Sequence, residues 1–350
     1  MTAVRIASTA HAQDSCDIML FDTIANADVL AERIERSGFF HRLYLSRTRK
    51  YMNLSTMKRR VMPLVFRHDE IPDVAYGTVY WANVFDWVGN SLIHALRKKN
   101  PNLCVVMYED GFATYSEHYG DFMSEIKTCG LLKRLYYRKI FSEYYRLKDV
   151  AVYSSELMCW KPEGNVRPIP KITADDAAYR AAINTIFGYG AMQDQYDRPY
   201  IFFEESYYAD HIEVGDVEVI RRLADIVGSE KLFVKIHPRN PVNRFQQMGI
   251  VTNVNTEIPW EVIAMNIDLE DKILLTIASG SALTSLINMR SEPKKIIMLM
   301  DSEDIDDSKL TPTLPLLRKI AYMNKNNVFL PKNTEELISY LSAMSREDTM

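Results

Sequence analysis

Several stretches of this chain end an apolar run on residues able to move protons or hold an anion. "KLFVKIHPRN" (231–240) runs from a strand-like segment into Lys235, His237, Pro238 and Arg239. A histidine can donate a proton or a hydrogen bond near neutral pH. Lysine and arginine suit a phosphate or a carboxylate. On a strand, positions 235, 237 and 239 share one side, so all three are expected to face one ligand. A His-Pro turn at a surface strand end would use the same residues. "YEDGFATY" (108–115) offers Glu109, Asp110 and Gly111 after another apolar run. The glycine permits a tight turn, and a carboxylate projecting there can take a proton from an alcohol. An ordinary Asp-Gly turn reads identically. "IASGSALTSL" (277–286) presents Ser279, Gly280 and Ser281 ahead of a helical pattern. Ser281 is the expected N-cap, and the free N–H groups of a first helical turn bind anions; plain capping is the alternative. No Gly-Lys-Ser/Thr follows, so this is no Walker loop. "FFEESYYAD" (202–210) adds Glu204, Glu205 and Asp210 after a fourth apolar run.

The elements that must position these residues alternate. Strands are expected at 4–8, 17–22, 42–46 and 103–108, with helices at 27–38, ending on Gly38, and at 86–101. A long helical block is expected over 131–149. The segment 160–198 carries much of the Pro and Gly and reads as a connection with one helix at about 174–187. Strands then fall at 200–205, 232–237, 272–279, 294–300 and 327–331. Helices between and after them fall at 217–228, 259–267, 281–290 and 334–345. Strands alternating with helices imply parallel βαβ units, hence an α/β fold in two Rossmann-like halves. The expected domains are 1–185 and 186–350. In open parallel sheets ligands bind beyond the carboxyl ends of the strands, which is where each of these candidates falls.

The totals limit the function classes. A chain of 350 residues, 47% hydrophobic and 25% charged, is long enough for two folded domains. A net charge of -4 argues against a general nucleic-acid binder. Cys16, Cys104, Cys129 and Cys159 have no CxxC spacing, so reduced thiols and no zinc site are expected. No signal peptide and no membrane-spanning run is expected, so the location should be cytoplasmic. The stretch 131–148 concentrates six cations (Lys133, Arg134, Arg138, Lys139, Arg146, Lys148) against one acid, Glu143, among tyrosines and Phe141. Such a face can lie on an anionic membrane or grip an acidic glycolipid, or it can simply be solvated with its aromatics packed inward. The acidic run 301–308 reads as a solvated loop.

Glu109-Asp110-Gly111, His237-Pro238 and the pair Ser279 and Ser281, in that order, resemble the motifs of bacterial sialyltransferases. The order looks most like the lipooligosaccharide sialyltransferases, with polysialyltransferases as more distant relatives; here Gly280 interrupts the serine pair. The resemblance implies a GT-B fold, two Rossmann-like domains facing across a cleft. It implies an inverting transfer of sialic acid from CMP-sialic acid to a galactose-type hydroxyl of a lipooligosaccharide, O-antigen or capsule. Asp110 would be the base and His237 the acid or phosphate donor. Ser279, Gly280 and Ser281 would hold the CMP phosphate, with Lys235 and Arg239 as further phosphate or carboxylate contacts. Glu204, Glu205 or Asp210 could replace Asp110. No metal or cofactor is implied beyond the CMP-sugar donor. The other partner is a glycan or glycolipid acceptor, with peripheral contact at the inner membrane, and a homodimer stays open. Kdo, legionaminic or pseudaminic acid as the transferred sugar, or a non-catalytic nucleotide- or glycan-binding role, are the alternatives.

Overall fold

The computed structural model describes residues 1–24, 26–49, 73–82, 87–191, 194, 196–289, 291–303, 305, 310 and 314–347. The chain divides into two compact units: Met1–Pro170 with Ala178–Ile186, and Lys171–Ala177 with Phe187–Met350.

The first unit begins α1 (Thr2–Thr9), β1 (Asp17–Phe21), α2 (Ala27–Ser37), β2 (Arg42–Ser46), β3 (Thr78–Trp81), α3 (Trp87–Lys99) and β4 (Cys104–Tyr108). It continues α4 (Glu117–Thr128), α5 (Leu131–Ile140), α6 (Ser142–Arg146), β5 (Asp149–Val152), β6 (Val166–Pro168) and α7 (Ala177–Phe187). β1 and β2 pair in parallel, and β3-β4-β5-β6 form a parallel sheet in chain order. Parallel neighbours need crossovers, and α3 and α4–α6 supply two of them. Val106 and Met107, on opposite faces of β4, are both fully buried. That two-sided burial is why β4 is apolar without alternation.

The second unit holds β7 (Tyr200–Phe203), α8 (Asp216–Val227), β8 (Leu232–Lys235), β9 (Val251–Thr252), α9 (Trp260–Ala264) and β10 (Ile273–Thr276). It ends α10 (Thr284–Asn288), β11 (Lys295–Met298), α11 (Leu314–Met323), β12 (Val328–Phe329) and α12 (Thr334–Glu347). Its parallel sheet runs β12-β11-β10-β7-β8-β9. Numbered within the unit this is 3-2-1-4-5-6, the order of dinucleotide-binding sheets, and it reverses between β7 and β10. Every residue of β7, β8 and β10 is buried. The chain is thus α/β with parallel sheets, as its alternation implies. No described helix is long and apolar enough to cross a membrane.

Four local expectations are corrected. Residues 4–8 are helical, inside α1, not a strand. Val4, Arg5, Ile6 and Ala7 are all buried, and a short run buried on every side has no diagnostic period. The block 131–149 is not one helix: it breaks at Phe141, and Asp149 already opens β5. β8 stops at Lys235, so 235, 237 and 239 do not share a strand face. Ser281 is not an N-cap. Ser279 is, and it caps a single 3-10 turn, Gly280–Leu283, that precedes the five-residue α10. Half of the acidic run, residue 304 and residues 306–308, lies outside the described residues.

Candidate active site

At the end of β4 the two carboxylates part. Glu109 turns inward and is 3% exposed. Its Oε2 accepts the hydroxyl of Tyr115 and, at 3.1 Å, the Tyr153 amide; the Ser154 amide donates to the same tyrosine oxygen at 3.2 Å. Glu109 therefore fastens the end of β4 to the segment after β5. Asp110 turns outward. Its amide donates to Thr114 Oγ1 at 3.1 Å, and Gly111, at φ 81°, directs the chain into the 3-10 turn Phe112–Tyr115. Among the described residues no side chain hydrogen-bonds the Asp110 carboxylate. The residue is exposed as a whole, yet neighbouring atoms crowd its carboxyl, and that partial burial pushes its pKa up. A raised pKa at an accessible carboxylate suits a general base.

In the second unit, "HPRN" is a β-turn. The Asn240 amide donates to His237 O at 2.9 Å, with Pro238 at the position where its fixed φ helps most. The Arg239 amide donates to His237 Nδ1 at 3.2 Å. In a neutral ring that bond assigns the proton to Nε2. Burial, with the charges of Arg239 and Lys235, lowers the His237 pKa to about 4, so the free protein holds a neutral imidazole at pH 7. No described group engages Nε2, which leaves one N–H donor beyond the strand end.

The turn is held from below. His237 N donates to Glu204 Oε2 at 3.1 Å, and Glu204 Oε1 accepts Arg244 at 2.8 Å. Arg244 also binds Asp216 and lies over the Tyr208 ring, 4.6 Å from its centroid. Glu204 is 3% exposed and is one arm of a buried ion network. Arg239 is exposed and forks onto Asp210 at 3.1 and 3.2 Å, with Ser206 joining the pair. Asn240, 8% exposed, accepts Ala209 N at 3.1 Å and donates to Glu205 O at 3.0 Å, tying the turn to the segment 205–209. Lys235 is buried. Burial lowers its pKa against the pull of Glu261 and Asp194.

Glu205 spans the point where strand order reverses. Its Oε1 accepts Thr276 Oγ1 and the Ala278 amide, both at 2.7 Å. Thr276 Oγ1 accepts the Ser279 amide at 2.8 Å, and Ser279 Oγ accepts the Ser281 amide at 3.3 Å. A continuous relay thus runs from the end of β7 through the end of β10 into the serine turn. Among the described residues the buried Glu205 Oε2 has no hydrogen-bond partner. Burial raises the Glu205 pKa to about 7 in spite of the two donors.

The second unit therefore brings Glu204, Glu205, His237, Pro238, Arg239, Ser279, Gly280 and Ser281 to neighbouring strand ends. Glu109, Asp110 and Gly111 occupy the corresponding end of β4 in the first unit. Asn240, Thr276, Arg244 and Asp216 are absent from the sequence reading. Thr276, the one polar residue in "ILLTIA", was the available signal; the Arg244–Asp216 pair has none. Cavities of about 420 Å³ between α2 and β2, and about 220 Å³ beside α1, contain none of these residues. The chain matches no protein-family model and no curated protein.

Proposed function

We propose that the protein is an inverting glycosyltransferase of GT-B type. It moves sialic acid from CMP-sialic acid to a galactose-type hydroxyl of a bacterial surface glycan. The observation that carries this reading is His237: a neutral imidazole with its Nε2–H free, held at the carboxyl edge of a sheet with dinucleotide-binding strand order. Such a donor, with the serine turn on the same sheet edge two strands away, suits a leaving phosphate.

In the proposed reaction the acceptor O–H bond breaks and its proton passes to Asp110. The acceptor oxygen bonds the anomeric carbon from the face opposite the leaving group. The bond from that carbon to the phosphate oxygen breaks, and its electron pair leaves with CMP. His237 Nε2–H and the Ser279–Ser281 turn stabilise the phosphate charge, and Lys235 adds positive potential from beneath. Fixed dipoles and one donor suffice for a monophosphate, so no metal is required of the mechanism. Asp110 is preferred as base because the other carboxylates have tasks. Glu204 pairs with Arg244, Asp210 with Arg239, and Glu205 holds the serine turn.

The test is a donor panel, CMP-sialic acid beside CMP-Kdo and CMP-activated legionaminic and pseudaminic acids, offered with an array of galactosyl acceptors. Acceptor-dependent release of CMP from CMP-sialic acid is the expected result. Turnover only with another CMP-sugar moves the substrate and keeps the chemistry. Binding of CMP without release of any sugar makes the protein a binding module and ends the proposal.

A further inference from the structure

The helix α5, Leu131–Ile140, has no buried residue at all. Leu131 is 63% exposed, Leu132 83% and Leu135 46%. An ordinary surface helix buries its leucines and exposes its charges; this one exposes both on one side. At about 100° per residue, Leu131, Leu132, Leu135, Arg134, Arg138 and Lys139 share a sector of about 160°. All six are exposed. Tyr136, Tyr137 and Ile140 occupy the opposite side and are half-buried. That back face is fixed to the first unit. Asn90 Nδ2 donates to Ile140 O at 3.0 Å, and the Phe141 ring stacks on Tyr144, which stacks on Trp81.

The charges are equally one-sided. The helix carries four cations and no acid on a chain of net charge -4. Lys133, outside the leucine sector, is answered by Glu125. Among the described residues Arg134, Arg138 and Lys139, which flank the leucines, have no ion pair.

From this juxtaposition we infer that α5 is an interfacial helix that seats the protein on an anionic phospholipid surface, its leucines entering the acyl boundary and its cations meeting lipid phosphates. Leucines interspersed with cations on one exposed sector match a headgroup layer, where each group finds its own depth. A nucleic acid would leave the leucines unpaired. This inference is independent of the transfer chemistry, since no residue of the proposed site lies in α5.

The full-length protein is co-sedimented with vesicles of phosphatidylcholine alone and of phosphatidylcholine mixed with phosphatidylglycerol. Binding should require the anionic lipid and fall steeply as salt rises from about 0.05 to 0.5 M, because screening tightens over that range. Replacing Arg134, Arg138 and Lys139 together by Gln should weaken it by about fivefold per cation. Replacing Leu131, Leu132 and Leu135 by Ser should weaken it by about tenfold or more while the melting temperature stays put. Four results would overturn the inference: no binding, equal binding to phosphatidylcholine alone, full binding by the leucine variant, or a fall of several degrees in its melting temperature, which would make the leucines core. A dimer that the leucine variant dissociates, without vesicle binding, would assign the face to a second copy instead.

Discussion

His237 and Glu205 depart from their ordinary titration in opposite senses, and each departure has a measurable consequence. His237 is held near pKa 4 against an ordinary value of about 6.5. A proton therefore binds the unfolded chain more readily, and the contribution to stability is intact above pH 6.5 and lost as pH falls from there toward 4. The same neutral ring should act by donating from Nε2. His237→Ala should cost about 10²–10⁴-fold in turnover and far less in CMP affinity. Gln places an N–H donor near the Nε2 position and should retain more activity than Asn, measured side by side with calorimetric CMP binding. Equal, small losses in turnover and binding for Ala would reduce His237 to a turn residue. Glu205 is displaced upward to about 7 from about 4.5. Here the folded state holds the proton longer, so stability is full below pH 4.5 and declines as pH rises through 7, by about 3 kcal/mol at most. Melting curves from pH 4 to 9 should show this decline in the wild type and a flatter profile in Glu205→Gln. Identical profiles would mean that the Glu205 carboxyl is not held in its protonated form. The residue types of both were legible in the sequence. Their surroundings were not, because Thr276 lies 71 positions from Glu205 and Arg244 lies 40 positions from Glu204.

At the scale of elements, function rests on turns rather than on strands. The sequence reading extended β8 through His237 and gave three cationic positions one face. The strand stops at Lys235, and a Pro-initiated turn aims His237 separately from Arg239. The proline at the second position of "HPRN" signals this turn, the alternative that the sequence holds open beside an extended strand. The serine motif was also legible as a turn. Its cap fell on Ser279 because the Ser279 amide was drawn back to Thr276. Buried strands such as β7 and β10 were plain in the sequence, being apolar but for Thr276. β3, β5, β6 and β9 were missed: none exceeds four residues, too few to show a period. Asn240 is the test at this scale, since its side chain joins the turn to the 205–209 segment by two hydrogen bonds. Asn240→Ala should lower stability by about 1–3 kcal/mol, because a buried amide leaves partners unmet. It should also raise the KM for the donor more than it lowers kcat. Loss of stability with unchanged KM would confine Asn240 to a structural role.

Across the whole molecule, the proposal divides labour between the two units: the acceptor base, Asp110, belongs to the first, and the phosphate-stabilising groups to the second. Alternation of strands and helices made the α/β class readable. The strand order of the second unit was not readable, because only long-range pairing fixes it. Chelation is one expected outcome at this scale. Excess EDTA should leave transfer intact, since the leaving group is a monophosphate; a complete loss restored by a divalent cation would contradict the mechanism. The division itself is tested most directly by proton NMR of the reaction of CMP-sialic acid with a galactosyl acceptor. Wild type is compared with Asp110→Asn, and CMP binding by both is measured calorimetrically. The account predicts a product of inverted anomeric configuration from the wild type. It predicts no transfer by Asp110→Asn, with CMP affinity nearly unchanged because the donor contacts lie in the other unit. A product of retained configuration, or full transfer by Asp110→Asn, would contradict it.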